Sequence, residues 1–364
     1  MPHALNIFAG PSARAVILER GLTHGDVTAV TGAAGGPKWL AVSGLDRALF
    51  GSFLKTAEHP IDLVGASAGA WRFASLAQGT HADPLFAYDR FEEAYITQDY
   101  TAYPDGPTAR DVTGEGVKIL DAFFRENSAE HILTHPVFRL SVLAVISLGP
   151  VKSDNGRILG PAMLLAGASS MISRNLLGCF FHRAVFHDRR CTPPFPGCDG
   201  RPDAIRSVVI ALTKKNLRPA VLASGSIPVV MEGVTDIPDA PEGTYRDGGL
   251  IDYHVTIPEK DGGVVIFPHY TNRIIPGWFD KFHPRRTPPR SHVDRLLMLC
   301  PSPEFVSRLP YGKIPDRKDF KRFIEHDADR IAYWRRVVSE CRRLGDEFLG
   351  LVDTGRIIDR IRPL

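Results

Sequence analysis

Length, composition and charge allow one large α/β domain or two smaller ones and argue against several classes of protein. The 364 residues carry a formal net charge of +3, and the basic residues are scattered, so nucleic-acid binding is not expected. Five cysteines fit reduced thiols better than a disulfide framework, and the N-terminus does not read as a secretory signal. We therefore expect a cytoplasmic protein, with peripheral membrane contact left open.

The first 80 residues contain two strand–turn–helix units. Residues 26–31 read as a short buried strand that runs into the glycine-rich turn 32–38, and residues 39–50 have helical apolar spacing. Residues 61–64 form a second strand, which a small-residue turn joins to a helix over residues 70–78. Two such units in succession favour a parallel sheet with functional residues at the carboxyl ends of its strands.

The remaining chain alternates insertions with further short strands. An irregular insertion is expected over residues 95–116, and the uncharged run 158–173 is too short to span a bilayer. We expect that run to form a buried helix, with a lid beside an acyl-binding site as the alternative; for residues 158–186, core, lid and membrane contact stay open. Amphipathic helices are expected between 316 and about 350. Apolar runs predict strands at 139–147, 207–212, 263–267 and 296–299.

The glycine-rich turn has three interpretations. A dinucleotide loop of the short-chain dehydrogenase type would need glycine in place of Lys38, and a Walker A phosphate loop would need glycine in place of Pro37. Both nucleotide-binding interpretations therefore fail. In the third, adjacent backbone N–H groups of Gly35 and Gly36 form an oxyanion hole, since no Cβ blocks the approach of a charged oxygen.

The second glycine motif carries a candidate nucleophile. Residues Gly65–Gly69 place Ser67 between a strand and a helix, which is the context that a G-x-S-x-G nucleophile needs. The helix that follows directs its positive N-terminal end at the site. A carboxylate, Asp247, stands ahead of Gly248 and Gly249, a pattern that by itself is commonly only a turn.

Taken together, these motifs resemble those of the patatin-like phospholipases over about residues 26–270. The order is that of the family, and the motifs are residues 34–38, 65–69, 223–228 and 247–249. Ala34 replaces the first glycine of the family's usual triple, and Trp39 stands where the family has glycine. Asp252-Tyr253-His254 stands where Asn-x-Pro is common.

The resemblance implies a three-layer α/β/α fold with a mostly parallel central sheet, a helical apolar insertion and a C-terminal helical extension. It implies an acyl-ester or lipid hydrolase with Ser67 as nucleophile and Asp247 as base. Gly35 and Gly36 would form the oxyanion hole and Lys38 would match the family's basic residue. Supporting glycines would be Gly65, Gly69, Gly248 and Gly249. Such a dyad needs no metal and no cofactor.

The same reasoning divides the chain into two parts. Residues 1–270 would form the catalytic domain, with insertions at about 95–136 and 150–206. Residues 271–364 would form a largely helical extension packed on that domain. The substrate would be a lipid or acyl ester, and the oligomeric state is not readable from the sequence.

Three alternatives stay open. A Ser-His-Asp esterase would need a late histidine, and His254, His269 and His292 are available. A non-catalytic lipid- or acyl-binding protein would keep the fold without the reaction. A metal site is a further alternative, although its spacing matches no standard zinc pattern; its ligands would be His182, His187, Cys191 and Cys198.

Overall fold

The structure is a computed structural model that describes residues 3–103, 106–195, 205–258 and 262–364. In the described part of the chain, one mixed sheet of eleven strands forms the centre of the fold. The strands are β1 (Leu5–Ala9), β2 (Val27–Gly32), β3 (Ile61–Ala66), β4 (Phe138–Ser147), β5 (Phe181–His187), β6 (Ser207–Ala211), β7 (Val234–Thr235), β8 (Thr244–Asp247), β9 (Val264–Pro268), β10 (Leu296–Pro301) and β11 (Ile361–Pro363).

The sheet is mostly parallel, in the order β11-β1-β10-β9-β2-β3-β4-β5-β6. Neighbouring strands run parallel from β10 through β9, β2 and β3 to β4, while β1 with β10 and β4 with β5 are antiparallel. The short strands β7 and β8 form a side branch, in which β8 is antiparallel to β4. Parallel strands need both faces covered, and the central strands are buried along nearly their whole length.

Helices cover both faces of this sheet and complete the three-layer α/β/α arrangement that the resemblance implied. They are α1 (Pro11–Arg20), α2 (Ser43–Ala48), α3 (Ala68–Leu76), α4 (Phe86–Ile96), α5 (Ala109–Phe123), α6 (Ser128–Thr134), α7 (Gly156–Ile172), α8 (Leu217–Gly225), α9 (Pro303–Arg308), α10 (Lys318–Arg322) and α11 (Asp327–Asp353). Of the described helices, none combines the length and the apolar character needed to cross a bilayer.

The strands predicted from apolar runs are confirmed as β2, β3, β4, β6, β9 and β10. The prediction of an irregular insertion over 95–116 is wrong for its last eight residues, because residues 109–116 form the first half of α5. A capping box begins this helix, with the Thr108 hydroxyl accepting from the Asp111 N–H. The predicted domain boundary at 270 falls between β9 and β10, which pair with each other, and the division itself stays a prediction.

The uncharged run forms helix α7, but burial of the whole helix is wrong. Leu159, Ala162 and Ala166 are buried at helical spacing against a second, smaller apolar core. On the opposite face Leu164 is 76% exposed and Ile172 is 83% exposed. The helix therefore covers a small core with one face and presents apolar side chains to solvent with the other.

Candidate active site

Ser67 lies at the sharp turn between β3 and α3. Its backbone has φ 53° and ψ −126°, a conformation that costs free energy for any residue with a side chain. The Ser67 N–H donates to Ser224 Oγ at 2.8 Å, and Ser224 Oγ donates to the Leu143 carbonyl at 2.6 Å. Ser224, in α8, therefore anchors the turn to strand β4.

Two glycines let the turn fold this tightly. A Cβ on Gly69 would lie 2.3 Å from the Gly32 carbonyl oxygen, because α3 crosses β2 at this point. A Cβ on Gly65 would lie 2.6 Å from the Ala70 nitrogen. Real Cβ atoms do not approach so closely, so both positions require glycine for packing, as the motif suggested.

The register of strand β4 brings Asp247 to Ser67. Ala66, the last residue of β3, pairs with Leu143, and Asp247 of β8 pairs with the next residue, Ala144. Strand β8 thus continues along β4 where β3 stops. The Ser67 hydroxyl donates to Asp247 Oδ2 at 2.8 Å, and both side chains are buried. Two residues 180 positions apart in sequence form one hydrogen-bonded pair.

Burial raises the pKa of the Asp247 carboxyl above its ordinary value. Four groups oppose this rise: the positive charges of Arg317 and Lys281, and the hydrogen bonds from Ser67 and from the Gly249 N–H. The Gly249 N–H donates to Asp247 Oδ1 at 2.7 Å, which leaves Oδ2 for the Ser67 hydroxyl. Asp247 is therefore held as an oriented carboxylate of increased basicity.

Gly248 fills the turn after Asp247. A Cβ on Gly248 would lie 2.1 Å from the Leu143 carbonyl oxygen, so the turn packs directly on β4. The predicted supporting residues Gly248 and Gly249 therefore both contact the elements that hold Asp247.

The glycine loop lies beside Ser67 and exposes two unused donors. Gly35 and Gly36 have φ values of 149° and 56°, so both adopt backbone conformations that favour glycine. Within the described residues, no hydrogen bond uses either N–H group, although Gly35 is buried. Buried N–H groups normally have partners, and an exception of this kind in a cavity suits an incoming oxygen. Ala34 fixes the loop: its N–H donates to the Tyr253 carbonyl and its own carbonyl accepts from the Tyr270 hydroxyl.

Trp39, which stands where the patatin-like phospholipases have glycine, packs into an aromatic cluster. The Trp39 ring stacks on Phe91 with centroids 4.7 Å apart and meets Tyr95 edge-on at 5.3 Å. Lys38 points the other way, with its Nζ 5.1 Å from the centroid of the Tyr270 ring. Burial lowers the pKa of Lys38, Asp316 raises it and Arg317 lowers it.

Sequence reasoning missed two cations of the site. Arg317 directly precedes α10. Its side chain lies against the glycine loop, because a Cβ placed on Gly36 would be 3.3 Å from Arg317 Nε. In the described part of the chain, no carboxylate forms an ion pair with Arg317. Lys281 Nζ lies 4.0 Å from the centroid of the Tyr253 ring. Burial is the main cause that lowers the pKa of Lys281 to about 7. No local motif marks either residue, because tertiary packing alone brings them to Asp247.

Removing the charge of Arg317 is expected to shift the pH dependence of catalysis. Arg317 lowers the pKa of Asp247, so Arg317→Gln would raise it further, and the carboxylate would be protonated at higher pH. The acid limb of kcat/KM should therefore move to higher pH, whereas Arg317→Lys should stay near wild type. The measurement is hydrolysis of a p-nitrophenyl ester from pH 4 to 9. If the acid limb of kcat/KM stays at the same pH in Arg317→Gln, Arg317 does not lower the pKa of Asp247.

Two apolar cavities open at Ser67. One has a volume of about 800 Å³ and lies under α7; we call it the α7 cavity. The other has a volume of about 590 Å³ and lies beside Tyr95 and Tyr100; we call it the tyrosine cavity. Both have the size of small-molecule sites, and both are lined mainly by apolar atoms.

The late histidines have other partners. His254 Nε2 lies 2.9 Å from the Tyr270 hydroxyl, and His269 Nδ1 lies 2.5 Å from the Thr271 carbonyl. Burial lowers the pKa of both rings, that of His269 to about 3. Across the described residues, no histidine, His292 included, forms a hydrogen bond with Ser67. The geometry therefore favours Asp247 over a histidine as the partner of the serine.

The three described residues of the hypothetical metal site, His182, His187 and Cys191, do not form a group that could hold a metal ion. His182 and His187 are five positions apart on strand β5, so their side chains point to opposite faces of the sheet. Cys191 Sγ donates to the Asp188 carbonyl at 3.3 Å, and Cys198 lies outside the described residues. No group of three or more His, Cys, Asp or Glu side chains in the described ranges is arranged to hold a metal ion.

Comparison with known proteins gives a distant likeness only. No protein-family model matches the chain, and no curated protein matches it. Among solved structures, it is similar to the one titled "Crystal structure of VipD from Legionella pneumophila", with 12% sequence identity and a TM-score of 0.31. The match covers 73% of this chain and 53% of that chain, so this chain spans about half its length.

Proposed function

We propose that the chain is a serine acyl hydrolase that cleaves lipid or acyl esters with Ser67 and Asp247. The observation that carries the proposal is the 2.8 Å hydrogen bond from the Ser67 hydroxyl to the buried Asp247 carboxylate. Beside it lie two backbone donors, Gly35 and Gly36, without partners in the described part of the chain, and two apolar cavities. Nucleophile, base, oxyanion donors and apolar binding space are the parts that ester hydrolysis requires.

The reaction would begin with proton transfer from Ser67 to Asp247 as Ser67 Oγ attacks the ester carbonyl carbon. The N–H groups of Gly35 and Gly36 would hold the oxyanion, each contributing about 2.7–4 kcal/mol to transition-state stabilisation. Collapse of the tetrahedral intermediate passes the proton from Asp247 to the departing ester oxygen, which releases the alcohol and leaves an acyl-enzyme. Water, deprotonated by Asp247, would then attack this ester, and Asp247 would return the proton to Ser67 Oγ as the acid leaves.

The raised pKa of Asp247 supports its role as a base. A carboxyl of ordinary pKa, about 3.9, is a weak base at neutral pH. Burial raises the pKa of Asp247, while the positive charges of Arg317 and Lys281 limit that rise. A base must be ionised and still attract a proton, and these opposed effects serve both needs.

A fluorophosphonate probe tests this proposal against a non-catalytic binding protein of the same fold. We expect the probe to add to wild type once, at Ser67, and not to add to folded Ser67→Ala, as seen by intact mass. Replacing His254, His269 and His292 singly by alanine should leave labelling in place. Unlabelled, folded wild type would favour the binding protein, and labelling lost with one histidine would favour the Ser-His-Asp esterase.

The outer face of α7 supports contact of the protein with a lipid surface. Leu164 and Ile172 expose most of their apolar side chains beside the α7 cavity. Apolar residues grouped around the mouth of a site commonly mark an interaction surface. We expect the double variant Leu164→Ser, Ile172→Ser to co-sediment less with phosphatidylcholine vesicles than wild type. The control is Ile358→Ser, which changes an exposed apolar residue just ahead of the edge strand β11. Equal loss of vesicle binding in both variants would contradict a specific lipid-binding surface.

A further inference from the structure

The α7 cavity and the tyrosine cavity meet at Ser67 but have different walls. Residues that line both are Ser67, Ile227, Val229 and Arg317. The α7 cavity is bounded by α7 itself and by Trp278, Phe279 and Phe282. The tyrosine cavity is bounded by α5 and by Trp71, Tyr95 and Phe320. An ester bound at Ser67 therefore has apolar space on both sides of its carbonyl group.

The dyad is not symmetric between these cavities. Asp247 and Gly249 line the α7 cavity and are absent from the walls of the tyrosine cavity. Ala68 and Trp71, at the start of α3, line only the tyrosine cavity. The base therefore lies on the α7 side of the nucleophile. The position of Asp247 on one side of Ser67 therefore determines which part of a bound ester lies in which cavity.

Proton balance requires the alcohol to leave on the side of the base. When Ser67 Oγ bonds to the carbonyl carbon, its proton passes to Asp247 Oδ2. When the bond between that carbon and the ester oxygen breaks, the departing oxygen takes the electron pair and the proton held by Asp247. That oxygen must therefore lie within hydrogen-bond reach of Asp247, which faces the α7 cavity.

We propose that the alcohol part of the substrate occupies the α7 cavity and that the acyl chain occupies the tyrosine cavity. This assignment rests on the proposed function. The substrate class is an ester with apolar groups on both sides of the scissile bond. Once the alcohol has left through the α7 cavity, water reaches Asp247 by the same route, while the acyl chain stays in the tyrosine cavity. In this assignment helix α7, which belongs to the apolar insertion, contacts the alcohol part of the substrate.

Two matched tryptophan substitutions test the assignment. Val112, on α5, lines the tyrosine cavity, and Ala168, on α7, lines the α7 cavity. Val112→Trp and Ala168→Trp each fill one cavity with the same side chain. The probes are p-nitrophenyl esters from butyrate to palmitate, which vary the acyl chain, and butyrate esters from ethyl to dodecyl, which vary the alcohol.

The assignment predicts opposite selectivities. Val112→Trp should lower the ratio of kcat/KM for palmitate over butyrate by roughly tenfold or more, since methylene groups lose their apolar site. Ala168→Trp should lower the ratio of kcat/KM for dodecyl butyrate to kcat/KM for ethyl butyrate by a similar factor. The reverse pattern, or equal loss of both ratios in both variants, would overturn the assignment.

Two controls separate failure of the assignment from other failures. Thermal melting identifies a tryptophan variant that does not fold, and Val112→Phe and Ala168→Phe then replace the pair with a smaller change. Wild type that neither hydrolyses any of the esters nor takes up the fluorophosphonate would refute the proposed function and the assignment with it. Active wild type with the reverse selectivities would refute the assignment alone.

Discussion

Replacing Ser67 by alanine is expected to lower kcat/KM for p-nitrophenyl esters by about 10⁴-fold or more. The substitution removes the atom that would form the acyl-enzyme and leaves the cavities and the backbone donors of the glycine loop in place. The residual rate would come from the oxyanion hole and from binding alone. The measurement is initial rates on esters from acetyl to palmitoyl, and Ser67→Ala with more than a tenth of wild-type activity would rule out the serine as nucleophile.

Asp247→Asn should lose activity by about the same factor of 10⁴, because the amide cannot accept the serine proton as a base. The side chain keeps its shape, and its oxygen can still accept from the Gly249 N–H. Ser75→Ala is the matched control for Ser67→Ala, because the hydroxyl of this buried serine of α3 donates to the Arg72 carbonyl and, within the described residues, makes no hydrogen bond with the dyad. Loss of activity in the control would indicate that damage to α3, and not loss of the dyad, explains the result.

Removing one partner of the buried ion pair between α2 and α3 is expected to give the largest loss of stability. The Arg72 guanidinium binds Asp46 through two hydrogen bonds, and both side chains are almost fully buried. The Tyr88 hydroxyl also donates to Asp46, at 2.8 Å. Asp46→Ala would leave a buried positive charge without its partner, so we expect the free energy of unfolding to fall by about 3–5 kcal/mol. Urea denaturation followed by circular dichroism measures this change.

Two further variants show whether the loss of stability in Asp46→Ala comes from the unpaired positive charge of Arg72. Asp46→Leu combined with Arg72→Met removes both charges and should recover most of the lost stability. Glu93→Ala breaks the exposed pair with Arg335 and should cost about 0–1 kcal/mol. A double variant as unstable as Asp46→Ala would show that packing, rather than electrostatics, dominates at this position.

The sequence predicted the centre of the sheet because its strands are buried on both faces. Such strands read as continuous apolar runs, as in residues 264–267 and 296–299. Strand β5 was missed because His182 and Arg183 interrupt its apolar run. Strand β1 was missed because Asn6 interrupts its apolar run, and β11 was missed because its three residues include the charged Arg362.

The candidate site was predictable only where its residues belong to local motifs. Ser67, Gly35 and Gly36 belong to turns whose geometry needs small residues, so the motif and the structural requirement coincide. Arg317, just ahead of α10, and Lys281, in the short 3-10 helix Trp278–Phe282, act on Asp247 from the last hundred residues and carry no such local signature. Which cavity faces Asp247 depends on the register of β8 on β4, and no pattern in the sequence encodes that register.

Strand β1 has a consequence for how the protein is made. Leu5 pairs with Pro301 of β10, and Ile7 pairs with Ile361 of β11, so both neighbours of β1 are translated long after it. At a translation rate of about 5–20 residues per second, β1 waits roughly 15–60 s for its first partner. During that interval an apolar strand with unpaired backbone groups is available to other nascent chains. Yield in the cell should therefore depend on chaperones that shield β1 until β10 has left the ribosome.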